Sequence, residues 1–218
     1  DWNMDLTYEQ LNWRLWCIQN NCGGDIEQFQ QEYPSTPEEA FIASGRPRFN
    51  VTKLKQYLRK TEKGVRGYLR WQGRNVVFEK DDKGYLEIWN MPKAGEFYCI
   101  GGDVAEGLID GDYSVGIVGN QNDMKVDAMW HGHIDPDLFG EELVKLAIFY
   151  NEAYIGTEAN NHGLTTLKAI QKLDYHNIYY SKVYDQIADR ITQKIGWQTN
   201  AKTKPLIIDK LAEFIREA

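Results

Sequence analysis

The chain has 218 residues, 42% apolar and 13% aromatic, with a net charge of −7, which is enough to bury one substantial core. No apolar run approaches the roughly 20 residues that span a bilayer, and the acidic opening from Asp1 to Asp5 excludes the basic start of a signal peptide; no membrane partner and a cytosolic location are expected. Three cysteines, Cys17, Cys22 and Cys99, lie in no zinc spacing and imply no disulfide framework.

Residues 7–20 set Leu11, Leu15 and Ile18 at helical spacing behind Thr7, with Gln10 completing a capping box. Pro34 then breaks the chain, and Thr36, Pro37 and Gly45 predict the cap, first position and end of a short helix. From residue 65 to 90 the period changes to two. VRGYLRW, NVVFEKD and YLEIWNM, divided by turn residues at Gly73 to Asn75 and Asp81 to Gly84, predict a small antiparallel meander.

FYCIGGDV is apolar on both faces, as a central strand must be, and delivers Asp103 after Gly101 and Gly102. YSVGIVGN and KVDAMWHGHI predict two more strands with a turn near Gln121 to Asp123. Asp135 and Pro136 start a helix that puts Phe139, Leu143, Leu146 and Tyr150 on one face. YIGTE is the next strand and ends at Glu158. GLTTLKAIQKL reads as a helix, NIYYS as a strand, and residues 200–217 as a final amphipathic helix. Three antiparallel strands and a helical crossover to a fourth is the order of the ribonuclease H-like fold. The expected class is α/β: a ribonuclease H-like mixed sheet flanked by helices, with a helical N-terminal leader and a small antiparallel meander.

If the crossover lays the fourth strand parallel to the first, Asp103 and Glu158 end neighbouring strands roughly 5 Å apart. Two carboxylates that close repel each other, and a divalent cation removes the cost. Mg²⁺ suits the pair, because it takes one or two protein carboxylates and fills its other positions with water and phosphate oxygens. Two such ions hydrolyse a phosphodiester by preparing a hydroxide and stabilising the departing sugar oxygen. Glu106, Asp110 and Asp112 in the following loop are further oxygen donors, with Asp112 the best third ligand; a solvated acidic turn explains Glu106 and Asp110 as well.

His131 and His133 share a strand face and can be read as metal ligands, although a partly exposed strand pair is the simpler account. Asn160, Asn161 and His162 precede a helix; caps and turns explain the asparagines, a DNA phosphate at the helix start is the functional alternative, and His162 is a candidate for DNA contact or proton shuttling. Thr199, Asn200, Lys202, Thr203 and Lys204 precede the last helix, with amides and lysines suited to phosphates. Trp197 beside them is expected in the core. Residues 159–218 hold nine Lys/Arg against six Asp/Glu, leaving −10 for the remainder. That local surplus fits DNA contact and solvated helix faces equally. No G-x-x-x-x-G-K-[ST] occurs, so ATP hydrolysis by a phosphate loop is excluded.

GGDVAEGLIDGDYSVGIV resembles the first catalytic strand and loop of phage terminase large-subunit nuclease domains, and YIGTEANNHG resembles their second motif. GWQTNAKTKPLIIDKL and FQQEYPSTPEEAFIASG are similar to the segment that follows and to the stretch joining motor and nuclease. The resemblance implies a ribonuclease H-like endonuclease that cuts concatemeric double-stranded phage DNA with Mg²⁺ or Mn²⁺, two ions being expected. Asp103 and Glu158 become its metal-binding catalytic acids, supported by Glu106 and Asp112, with Asn161, His162, Lys202 and Lys204 toward DNA. It implies a portal protein, a small terminase subunit and the ATPase domain of the same protein as partners, and the cytoplasm of an infected bacterial host as location. Residues 1–45 are then a leader from a motor absent here, which the missing initiator methionine also suggests, and residues 46–218 the nuclease domain. The family's further acid from an Asp-Asp motif is expected beyond Ala218, since Asp185, Asp189 and Asp209 match no catalytic position. A resolvase or integrase core and a non-catalytic DNA- or portal-docking module remain alternatives; an actin-like ATPase would need two duplicated domains.

Overall fold

The computed structural model describes residues 7–34, 47–185 and 190–217. The short helix expected from Thr36 to Gly45 lies outside them. By internal contacts the chain divides into Asp1–Arg59 with Lys210–Ala218, and Lys60–Asp209. In the first unit, α1 (Tyr8–Asn20) carries the predicted capping box: the Gln10 amide donates to the Thr7 hydroxyl, and the Thr7 amide to the Gln10 side chain. Together with α2 (Ile26–Glu32) it buries Cys17, Ile18, Cys22 and Phe29, with Trp13 packed edge-on to Phe29 and Tyr33. Helix α3 (Val51–Lys60) follows, capped by the Asn50 side chain, which accepts from the Lys53 amide.

The second unit is built on β1 (Val65–Gln72), β2 (Asn75–Lys80), β3 (Leu86–Ile88), β4 (Tyr98–Asp103), β5 (Ser114–Asn120), β6 (Val126–Gly132) and β7 (Tyr154–Thr157), with α4 (Pro136–Phe149) and α5 (Asn161–Lys172). The strands form one mixed sheet in the order β2-β1-β3-β6-β5-β4-β7. The first three are antiparallel as expected, but β1 lies between β2 and β3, and β3 pairs with β6. They therefore extend the central sheet and are not a meander in sequence order. The short β3, three residues long, lets the chain return to the free side of β1 and splice both parts together.

Strands β4, β5 and β6 are antiparallel, and α4 carries the chain over to β7, which pairs parallel with β4. This is the arrangement that the strand order predicted. Alternation in β5 sends Ser114, Gly116 and Val118 inward and leaves Ile117 exposed. The inward face meets α4: Phe139 packs on Trp130, and Leu143 is fully buried beneath Gly102 and Gly116, where an added Cβ would come within 3.2 and 2.9 Å of it. Gly140 lets α4 lie against α5, since a Cβ there would stand 2.7 Å from the Thr166 carbonyl oxygen. The opposite sheet face, carrying Gly101, Asp103, Ile117 and His131, stays exposed among the described residues. No described helix is long and apolar enough to cross a membrane.

At the far end of the sheet, Asn90 and Asn120 both donate to the buried Asp127 carboxylate, at 2.8 and 3.2 Å. The Tyr150 hydroxyl donates to the Asn90 carbonyl at 2.8 Å. Burial pushes the Tyr150 and Tyr175 phenols well above the usual range. A raised folded pKa keeps its stability below the unfolded value, about 10, and loses it as pH climbs above that value. Alkaline unfolding is therefore expected from about pH 10 upward. Phenolate absorbance should show Tyr150 and Tyr175 ionising together with the loss of helix, and Tyr150→Phe should remove part of that absorbance change.

Beyond β7 the sheet continues irregularly. Ile178 bridges to Ile155 and Trp197 to Glu158. Between these bridges a hairpin of β8 (Tyr180–Asp185) and β9 (Arg190–Ile195) departs, and α6 (Thr203–Glu217) ends the described chain. The sequence reading placed a strand at residues 177–181 and missed β9, whose RITQKI has too few apolar residues to register as a buried strand.

Candidate metal centre

Asp103 ends β4, and Glu158 follows directly on β7. The parallel register pairs Gly102 with Thr157, and the Glu158 amide donates to the Gly102 carbonyl at 3.1 Å. The two acids thus stand side by side at neighbouring strand ends, as the sequence reading expected. Both line an open depression of about 440 Å³ with Gly101, Gly102, Val115, Ile117, Gly156 and Trp197. Asp103 is exposed and Glu158 half-buried. Among the described residues neither carboxylate has an ion pair or a side-chain hydrogen bond.

The floor is made by glycines. A Cβ on Gly101 would meet nothing within 4 Å, and one on Gly156 would make ordinary contact at 3.8 Å. Any other residue would fill the space beside the acids. The wall at Trp197 is fixed by its amide donating to the Thr157 carbonyl at 2.9 Å, and its indole N–H is buried without a partner. Gly196 makes this turn possible: it has φ +81°, and a Cβ would sit 2.7 Å from Leu167 and 2.9 Å from Ala159. Two anionic oxygen donors over an open floor fit a hard divalent cation carrying water or phosphate oxygens.

Glu106 and Asp112 do not line this depression, and no group of three or more His, Cys, Asp or Glu able to hold an ion occurs among the described residues. The loop carrying Glu106 and Asp112 is held back by the Ala105 amide, which donates to the Ser114 hydroxyl at 3.1 Å. Gly107, at φ +85°, passes so close to Ile134 that a Cβ would lie 2.5 Å from its carbonyl oxygen. Glu106 instead reaches His162, Oε1 to Nε2, at 3.2 Å. This contact links the loop after the first acid to the helix after the second.

Asn160 is the N-cap of α5, accepting from the Gly163 amide at 2.7 Å, and Asn161 is exposed on its first turn. Before α6, the Asn200 side chain accepts from the amides of Lys202 and Thr203, and the Asn200 carbonyl accepts from Lys204. These amides are therefore already used. Only the exposed Lys202 and Lys204 side chains are left for phosphate. Trp197, expected in the core, is half-buried and lines the depression, because its place depends on the bridge to Glu158 and not on any local period. A second cavity of about 510 Å³, lined by Lys60, Glu62, Lys63 and Lys125 among others, brings together no comparable pair of acids.

No protein-family model matches the chain, and no curated protein matches it in sequence. Among solved structures it is similar to the large terminase nuclease from thermophilic phage G20c, with 16% identity, a TM-score of 0.50 and 63% of each chain covered. The same nuclease with bound magnesium and with bound cobalt gives the same values. The fold is that of a large terminase nuclease. In this fold the mixed sheet positions the acid pair, and the likeness extends over a little under two thirds of the G20c chain.

Proposed function

We propose that this chain is the nuclease part of a phage large terminase: a Mg²⁺- or Mn²⁺-dependent endonuclease cutting concatemeric double-stranded DNA during genome packaging. The observation that carries the reading is the pairing of Asp103 and Glu158 at adjacent ends of β4 and β7, above a glycine floor. The magnesium- and cobalt-bound forms of the G20c nuclease support it. Asp103 and Glu158 would hold the metal, and a pair of ions bound there would supply a hydroxide and stabilise the departing sugar oxygen. Gly101 and Gly156 leave room for the phosphate. Trp197 would wall the depression on the side of Glu158. Glu106 positions His162 at the head of α5, where Asn161 and His162 would meet DNA backbone, and Lys202 and Lys204 would add charge from the turn before α6. Asp112, in the loop after β4, would be a supporting acid outside the depression itself.

The same reading assigns residues 1–45 to a leader from an ATPase motor and 46–218 to the nuclease domain. It makes that motor, a portal protein and a small terminase subunit the partners, and the infected host's cytoplasm the place of action. The expected result is nicking and linearisation of supercoiled plasmid with Mn²⁺ or Mg²⁺, reduced to background by EDTA and restored by excess metal. Cleavage that ignores EDTA would overturn it. A non-catalytic DNA- or portal-docking module is the second reading, favoured by the absence of a three-acid group among the described residues. That module would bind DNA but leave plasmid intact at every metal concentration.

A further inference from the structure

The acid pair belongs to a longer row. The β4–β5 register sets Asp103 opposite Val115, and the β5–β6 register sets Val115 opposite His131. Residues directly opposite in neighbouring strands point to the same face. Glu158, Asp103, Val115 and His131 therefore cross the exposed face in one line, and His131 lies roughly 10 Å from Asp103, two strand spacings away. The only side chain between them on that line is Val115, which is apolar and half-buried.

His131 is exposed but not loose. Its ring stacks on Tyr113 at 4.3 Å and 23°, and Tyr113 lies 3.9 Å and 34° from His133, two residues further along the same face. A tyrosine ring stacked against both imidazoles keeps them from closing on one ion, which removes the metal-pair reading of these histidines. The stacking covers one face of each imidazole. It leaves the polar ring edges, where the N–H groups lie, open to a ligand. Neither the His131 imidazole nor the Tyr113 hydroxyl has a hydrogen-bond partner among the described residues, and Nδ1 of His133 is buried without one. Stacked side chains have already lost their rotamer freedom, so a donor presented this way binds at little further entropic cost. An N–H and an O–H held at a fixed distance from two metal-binding acids suit an oxyanion next to the reacting one.

Resting on the nuclease reading, we propose that His131, stiffened by Tyr113 and His133, holds a backbone phosphate flanking the one being cut. It is a positioning residue, fixing where the DNA strand runs across the sheet face. His131→Ala should raise KM for DNA roughly tenfold, the value of a hydrogen bond to a charged group, with kcat within about twofold. His131→Gln, which keeps an N–H donor, should recover most of the loss. The same factor should appear as weaker duplex binding, read by fluorescence anisotropy, when His131→Ala is added to an Asp103→Asn background that cannot cut. Unchanged KM and unchanged binding in the Ala variant would overturn the proposal, as would a Gln variant no better than Ala in a protein of unaltered urea midpoint. If the unmodified protein fails to cut with any metal, the nuclease reading fails first, and that outcome differs from cleavage with unaltered KM.

Discussion

Asp103→Asn is expected to reduce metal-dependent plasmid cleavage by roughly a thousandfold or more, about 4 kcal/mol of transition-state stabilisation. The substitution keeps size and shape and removes the charge that would hold the cation. Because the Asp103 side chain is exposed and makes no described hydrogen bond or ion pair, the fold has nothing to lose: the urea midpoint should stay within the equivalent of about 0.5 kcal/mol. Glu158→Gln should act in the same direction. The two together should cost little more than either alone, since both would serve one ion cluster and such effects do not add. The measurement is the rate of supercoiled plasmid loss in Mn²⁺ for the four proteins. Full cleavage by either single variant would remove that residue from the site.

The second large effect is expected at Gly163. A Cβ there would lie 1.8 Å from the carbonyl oxygen of Glu158 and 3.0 Å from the Asn160 Oδ1 that caps the helix. The obstacle is backbone, which cannot rotate aside. Gly163→Ala must therefore move the start of α5 away from β7, with a cost of about 2–3 kcal/mol, and displace Glu158 as it does so. Both urea stability and cleavage should fall. Gly101→Ala is the informative contrast, because its Cβ meets nothing in the protein but enters the depression beside Asp103. It should leave stability unchanged or raise it by up to about 1 kcal/mol while weakening metal-dependent cleavage. A Gly163→Ala protein as stable and active as the original would show that α5 does not fix the second acid.

Much of the central sheet was legible because its strands and helices obey local rules. FYCIGGDV, the Asp135–Pro136 start, the buried stripe of Phe139, Leu143, Leu146 and Tyr150, and Asn160 ahead of α5 all fall where the pattern put them. The adjacency of Asp103 and Glu158 followed from one topological step, the helical crossover. What stayed hidden depends on register or on distant contacts. The place of β1 between β2 and β3 is decided by pairing and not by order along the chain. Trp197 reaches the site through a single bridge. The row from Glu158 to His131 needs two registers that no composition reveals, and the tie between Glu106 and His162 joins two loops that are separate in sequence.

The parallel pairing of β4 with β7 also sets an order of events. Its two strands meet only after β5, β6 and α4 have been laid down between them, and the entropy of closing that long excursion is spent before the pairing returns anything. A chain leaving the ribosome therefore displays Asp103 well before Glu158 exists to stand beside it. If the chain is a nuclease, a half-made copy would hold only one of the two acids, and cutting would have to wait until β7 has been made and paired.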